Sequence, residues 1–144
     1  MAIYAGIYFW FPKITGRMYI ESWGKIHFWL TFIGANLNFF PMHPVGLQGM
    51  VRRISSYDPQ YTAWNVVASL GAFLLGMSTL PFITNMISSG LRGRKAPSNP
   101  WRATGLEWTT ISPPPAENFE QIPTVTSAPY GYGESPRLST HLST

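Results

Sequence analysis

The chain has 144 residues, of which only 11% are charged and 15% are aromatic. About a quarter of residues are charged in ordinary soluble proteins, so this composition argues against a conventional water-exposed domain and for a membrane chain. The absence of cysteine removes any disulfide framework, thiolate metal site or cysteine nucleophile. The net charge of +4 comes from short clusters beside apolar runs rather than a basic stripe on a polar surface, which excludes nucleic acid as a partner.

The mean hydropathy of +0.02 averages two unlike parts, an apolar run of segments followed by a tail rich in Pro, Ser and Thr. Residues 1–12, MAIYAGIYFWFP, carry no charge and end in Pro12. At ~1.5 Å per residue they cross only about half of a ~30 Å bilayer core, so they are expected to be the second half of a membrane helix. No basic residue precedes this run and no small-residue cleavage site follows it, which argues against a secretory signal. Residues 13–22 then form a polar connection containing Lys13 and Arg17.

Residues 23–40 have the length of one membrane span, and Pro41 is expected to end it. Asn36 and Asn38 inside it call for partners on other helices. Residues 41–60 form a loop that includes Arg52 and Arg53, and residues 61–90 make a second full span. Gly71, Gly76, Ser69 and Ser78 offer that span small surfaces for close helix packing. The basic run LRGRK then stops the membrane segment, and residues 91–144 hold eight prolines, with three in succession at 113–115. This tail is expected to be extended or disordered outside the membrane, with polyproline II at the triple proline. No internal repeat is present.

Counting lysine and arginine sets the orientation. Lys13, Arg17 and Lys25 flank the first connection, and Arg92, Arg94, Lys95 and Arg102 follow the last helix. The positive-inside rule places both groups in the cytoplasm and residues 41–60 outside. Arg52 and Arg53 therefore stand on the face where the rule disfavours them. A guanidinium keeps its charge, so the pair must reach water, lipid phosphate or an anionic partner.

No catalytic constellation appears. Glu21 and Asp58 fall on opposite membrane faces, and Asp58 in SYDPQ is expected to order the turn before the last helix or to pair with an arginine. Trp10, Trp23, Trp29 and Trp64 read as interface-belt or lipid-facing residues. His27 and His43 are the tempting metal ligands, but each stands beside a helix end and is expected to be an interfacial histidine bonded to backbone or neighbours; His141 belongs to the tail.

Several motifs in order carry a resemblance. KIHFWLTFIGANLNFFPMHPVGLQGMVRRISSYDPQYTAWN (25–65), preceded by AIYAGIYFWFPKITGRMY (2–19) and followed by NPWRATGLEWTTISPPPAENFEQIP (99–123), resembles the eleventh helix, following loop and start of the twelfth helix in subunit I of haem-copper terminal oxidases. The resemblance implies an all-α membrane protein, with this chain as a fragment of a twelve-helix bundle: half a helix plus two full spans. It implies a terminal respiratory oxidase that reduces oxygen to water with proton pumping, using two haems and copper ligated by residues absent from this chain. It makes Arg52 and Arg53 the partners of the haem propionates, and assigns no metal ligand to His27 or His43. The implied partners are the remaining helices of subunit I, subunits II and III, cytochrome c and membrane lipid, with the C-terminus cytoplasmic.

KIHF (25–28) and PMH (41–43) resemble the cytochrome c-using branch more than the quinol-using branch, which is the alternative donor class. A third reading is a non-catalytic two-helix membrane scaffold or anchor. The sequence departs from the family pattern at Val51, where a proline usually precedes the arginines. The isolated chain is expected to be inactive.

Overall fold

A computed structural model describes residues 1–119 together with 122–124, 128, 131 and 132. His141 and most of the tail expectation beyond Phe119 lie outside the described residues. Among the described residues the chain is helical, with one isolated bridge and no strand. It divides into two compact units, one formed by 1–19 with 89–144 and the other by 20–88.

In the first unit, α1 spans Ala2–Thr15 and passes through Pro12 instead of ending there. Proline removes one N–H donor from the ladder, and a helix this close to its end loses little by it. The helix stops at Gly16, whose φ of 67° and ψ of 14° supply the left-handed cap that a side chain would disfavour, with its N–H donating to the Pro12 carbonyl. The chain beyond residue 93 returns to this helix end. Met18 N–H donates to the Arg94 carbonyl at 2.8 Å and Ala96 N–H to the Gly16 carbonyl at 2.9 Å, which sets Arg17 opposite Lys95 in an antiparallel bridge.

Residues 96–119 were expected to be extended or disordered, and here the structure differs. The proline content conceals two tryptophans that find a place on α1. Trp101 donates its indole N–H to the Phe9 carbonyl at 2.9 Å and stacks on the Phe9 ring at 6.4 Å, while Trp108 meets Phe9 edge-on at 5.1 Å. Tyr19 adds rings on both sides, 4.8 Å from Tyr8 and 6.2 Å from Trp101. Trp108, in the turn Leu106–Trp108, is only 2% exposed. Burying an aromatic of this size supplies the apolar area that holds a segment otherwise composed for solvent.

In the second unit, α2 spans Glu21–Phe39, α3 spans Met42–Leu47, and α4 spans Thr62–Met77. The last helix, α5, spans Thr79–Arg92. α4 and α5 follow one another with a break at Ser78, because Pro81 cannot donate to the Met77 carbonyl and its ring crowds that carbonyl. The whole run Pro59–Arg92 is long and apolar enough to cross a membrane. Glu21, Lys25, His27, Asn36 and Asn38, spread along its 19 residues, make α2 less apolar.

α2 packs on α4 through glycine. A Cβ added at Gly34 lies 2.8 Å from the Leu75 nitrogen, and one at Gly71 lies 2.5 Å from the Leu37 carbonyl carbon and against the Asn38 nitrogen. Thr31 donates to the Ser78 hydroxyl at 2.9 Å across the same seam. Of the four small residues expected to serve packing, Gly71 and Ser78 do so, whereas Gly76 faces open space and Ser69 is exposed. Asn36, expected to seek another helix, donates instead to the Phe32 carbonyl of its own helix at 2.7 Å. The i−4 carbonyl is the nearest acceptor to a short amide side chain on a helix. Asn85 on α5 clamps the start of α2, accepting from Ile20 N–H and donating to the Ile20 carbonyl, each at 3.0 Å.

Candidate anion-binding site

Between α3 and α4 the chain turns in a loop that carries Arg52 and Arg53. Its two ends are fixed. On one side Gly49 turns with φ of 91° and Met50 N–H donates to the Val45 carbonyl at 3.2 Å. On the other, the Asp58 carboxylate accepts from Gln60 N–H at 3.2 Å and starts the turn Pro59–Tyr61. This is the turn-ordering role expected of Asp58, and no arginine pairs with it among the described residues. Tyr61, buried at 7% exposure, donates its hydroxyl to the Gln48 carbonyl at 2.9 Å and so ties one end to the other. Asn65 donates to the Tyr61 carbonyl at 3.0 Å and approaches the Met50 sulfur at 3.6 Å.

Inside these anchors every residue of 51–58 is exposed. Arg52 and Arg53 make no side-chain hydrogen bond or ion pair with any described residue. Arg53 also holds a φ of 60°, a left-handed conformation that costs a residue with a Cβ about 1 kcal/mol. Two fixed positive charges at adjacent positions, with no carboxylate among the described residues in ion-pair contact with them, suit an anion brought by something else. A guanidinium fork matches a carboxylate or phosphate with two parallel N–H donors, so a pair suits two carboxylates or one bulky anion. Val51, where the family pattern has proline, is 66% exposed and leaves the arginines' surroundings open.

The histidines do not join this site. His43 is exposed, its Nδ1 3.1 Å from the Phe39 carbonyl, which is the backbone partner expected of it. His27 is buried, 2% exposed on α2, and its ring lies 5.0 Å from that of Phe82. Among the described residues no three His, Cys, Asp or Glu side chains gather as a metal site.

One buried cation escapes a reading based on sequence. Lys13, counted there only for orientation, is buried at 6% exposure. Its ammonium donates to the carbonyls of Ser98 at 2.9 Å, Thr110 at 2.8 Å and Ile111 at 3.3 Å, and lies 5.1 Å over the Trp108 ring. Burial pushes its pKa below the ordinary lysine value, with Glu107 opposing by a smaller amount. The Trp108 indole N–H beside it is buried and finds no acceptor among the described residues. The only signal in the sequence is the pairing of a lysine directly after a helical proline with distant tryptophans, which no local pattern exposes.

Comparison with known proteins bears on the whole chain. The family model described as "Cytochrome C and Quinol oxidase polypeptide I" matches residues 1–74. Relatives called cytochrome c oxidase subunit 1 are similar over most of the chain. That of Synechocystis sp. is 52% identical over 132 residues and that of Thermostichus vulcanus 53% over 131, covering 92% and 91% of this chain and 24% of each relative. That of Cereibacter sphaeroides is 49% identical over 124 residues, covering 84% of this chain and 22% of the relative. The chain spans about a quarter of the length of the curated relatives it matches.

Proposed function

We propose, for a chain that belongs to the cytochrome c and quinol oxidase polypeptide I family, that it serves a terminal respiratory oxidase as the part of subunit I that clamps the haem propionates. The oxidase reduces oxygen to water with proton pumping, and its two haems and copper are ligated by residues outside this chain. Within the twelve-helix bundle of subunit I, residues 1–12 supply half a span, residues 23–40 one span, and residues 61–90 another. The C-terminus is cytoplasmic and the arginine loop faces the opposite side. Subunits II and III, the other helices of subunit I and membrane lipid are the partners. Cytochrome c is the electron donor, a choice favoured over quinol by the names of the similar subunits.

The observation that carries this reading is the adjacent, exposed and unpaired Arg52 and Arg53 on a loop whose ends are fixed. Haem propionates are carboxylates at the rim of a buried ring, and the guanidinium pair fits them in charge and in hydrogen-bonding geometry. What this pair does is bind and neutralise those carboxylates and raise the tendency of the ring to accept an electron, since a nearby cation favours the reduced state.

Arg52→Gln and Arg53→Gln in the complete oxidase test it, because glutamine keeps a hydrogen bond and removes the charge. The haem midpoint potentials are expected to fall and turnover to drop, with the fold unchanged. Midpoints and turnover equal to wild type refute the clamp and favour arginines that touch only lipid phosphate.

A further inference from the structure

We propose that Arg17 and Lys95 form a second anion site, one that takes a phosphate group at the cytoplasmic end of α1. The bridge at this point has a particular register. Met18 N–H donates to the Arg94 carbonyl and Ala96 N–H to the Gly16 carbonyl, so the hydrogen bonds fall on the residues flanking the pair. Arg17 and Lys95 are thus the non-hydrogen-bonded pair of the bridge, the position at which opposed side chains come closest, with Cα atoms ~4.5 Å apart. Like charges placed directly opposite one another in such a pair are destabilising. Basic residues after a membrane helix are ordinary, but that tendency does not require two of them in this register.

Among the described residues nothing relieves the repulsion. Among the described residues the ion pairs consist of Glu21 with Lys25 alone, so neither Arg17 nor Lys95 has a carboxylate. Arg17 is also held in place. Its Nη1 donates to the Gly93 carbonyl at 2.7 Å and its backbone N–H to Thr15 Oγ1 at 3.2 Å. A guanidinium has five N–H donors, so the rest remain for a ligand.

The two cations line a concavity of about 310 Å³ with Thr15, Gly16, Ala96, Ser112 and Pro113. One wall is fixed by the approach of the tail to the left-handed glycine, where an added Cβ at Gly16 lies 2.7 Å from Pro113 Cδ. An anchored fork-shaped donor and an exposed point charge, neither with a counter-ion among the described residues, on either side of an open pocket, suit the several oxygens of a phosphate group. The pocket is built by the chain's own fold and stands whether or not Arg52 and Arg53 hold propionates.

The phosphate comes from a lipid headgroup or from a soluble phosphate, and the test separates these. The purified oxidase containing this chain is delipidated, then titrated with inorganic phosphate and, separately, placed in nanodiscs of phosphatidylcholine with and without phosphatidylglycerol. Bound phosphate and retained phospholipid are measured for the wild type, Lys95→Glu and the control Arg102→Gln. Lys95→Glu is expected to weaken binding of the true ligand roughly tenfold or more, and Arg102→Gln about twofold or less. Loss of phosphatidylglycerol retention alone assigns a lipid headgroup, and loss of inorganic phosphate binding assigns a soluble phosphate.

Lys95→Glu also gives Arg17 an internal carboxylate. In phosphate-free detergent its unfolding midpoint is expected to rise, and added phosphate is expected to shift it less than wild type. Equal binding by wild type and Lys95→Glu, or an unfolding midpoint that responds to phosphate equally in both, overturns the proposal.

Discussion

Lys13 and the Arg52–Arg53 pair are cations of one small chain in opposite circumstances. Lys13 is buried, and three backbone carbonyls and an indole face occupy its ammonium. The arginines are exposed, and among the described residues nothing of the chain touches their charge. A buried charge survives only if its own fold satisfies it, so Lys13 is a structural group whose partners are already present. The proposed clamp needs a pair of the opposite kind, whose charges meet no partner among the described residues and so remain for a ligand. The difference teaches that the burial and partners of a cation, more than its position in the sequence, separate architecture from recognition.

The largest effect that could break this contrast is at Lys13. Lys13→Met keeps an unbranched side chain of nearly the same length and removes the donor from three part-buried carbonyls. An unsatisfied buried polar group costs ~1–3 kcal/mol, so the variant is expected to lose about 3 kcal/mol and to free residues 96–119 for proteolysis. Limited proteolysis and thermal unfolding of the complete oxidase measure both. Arg52→Gln, in contrast, is expected to leave the proteolytic pattern unchanged; equal sensitivity in the two variants breaks the comparison.

Lys13 also gives the contrast a pH dependence. Its folded pKa lies below the ordinary value of 10.5, so the unfolded chain holds the proton more tightly. Between the folded pKa and 10.5 the unfolded state binds more protons, and stability from this group therefore rises with pH in that window. In Lys13→Met that rise is expected to vanish from the unfolding profile.

How much of this was legible in the sequence follows from what each signal encodes. Charge-free windows marked the helices because lipid-facing segments must avoid charge, and Arg52 and Arg53 stood out because they interrupt such a window. The tail was misread because composition counts its prolines and misses where Trp101 and Trp108 find a wall. The helix seam was half legible. Gly71 and Ser78 lie seven residues apart on one face, and Ser69 and Gly76 lie seven apart on another, rotated by about 200° at ~100° per residue. Periodicity offers both stripes equally, and only the place of Gly34 on α2 chooses between them.

That choice is the next effect in size. Gly71→Ala pushes a methyl group into the backbone of Leu37 and Asn38 and is expected to cost about 2 kcal/mol. Gly76→Ala meets nothing among the described residues and, by helix propensity, is expected to gain up to ~1 kcal/mol. Unfolding of the assembled oxidase compares the two. A cost at Gly76 comparable with that at Gly71 would reveal a helix from outside the chain against that face, and would place Gly76 with the arginines as a group whose partner lies elsewhere.

The smallest effect sharpens the contrast inside the arginine pair itself. Arg53 alone of the two holds a left-handed backbone, which glycine adopts without the Cβ penalty. Arg53→Gly is expected to stabilise the loop by up to about 1 kcal/mol, because relief of the strain outweighs the added freedom of the unfolded chain. Arg52→Gly, with no such strain to relieve, is expected to lose up to about 1 kcal/mol. Function should move the other way, since both glycine variants delete a charge that the haem propionates are proposed to need. Arg53→Gly is therefore expected to be the more stable protein with the lower haem midpoint, as measured by thermal unfolding and redox titration of the same preparation. A variant that gains stability and keeps its midpoint would show the strain at Arg53 to be unrelated to the clamp, leaving Arg52 to hold the propionates alone.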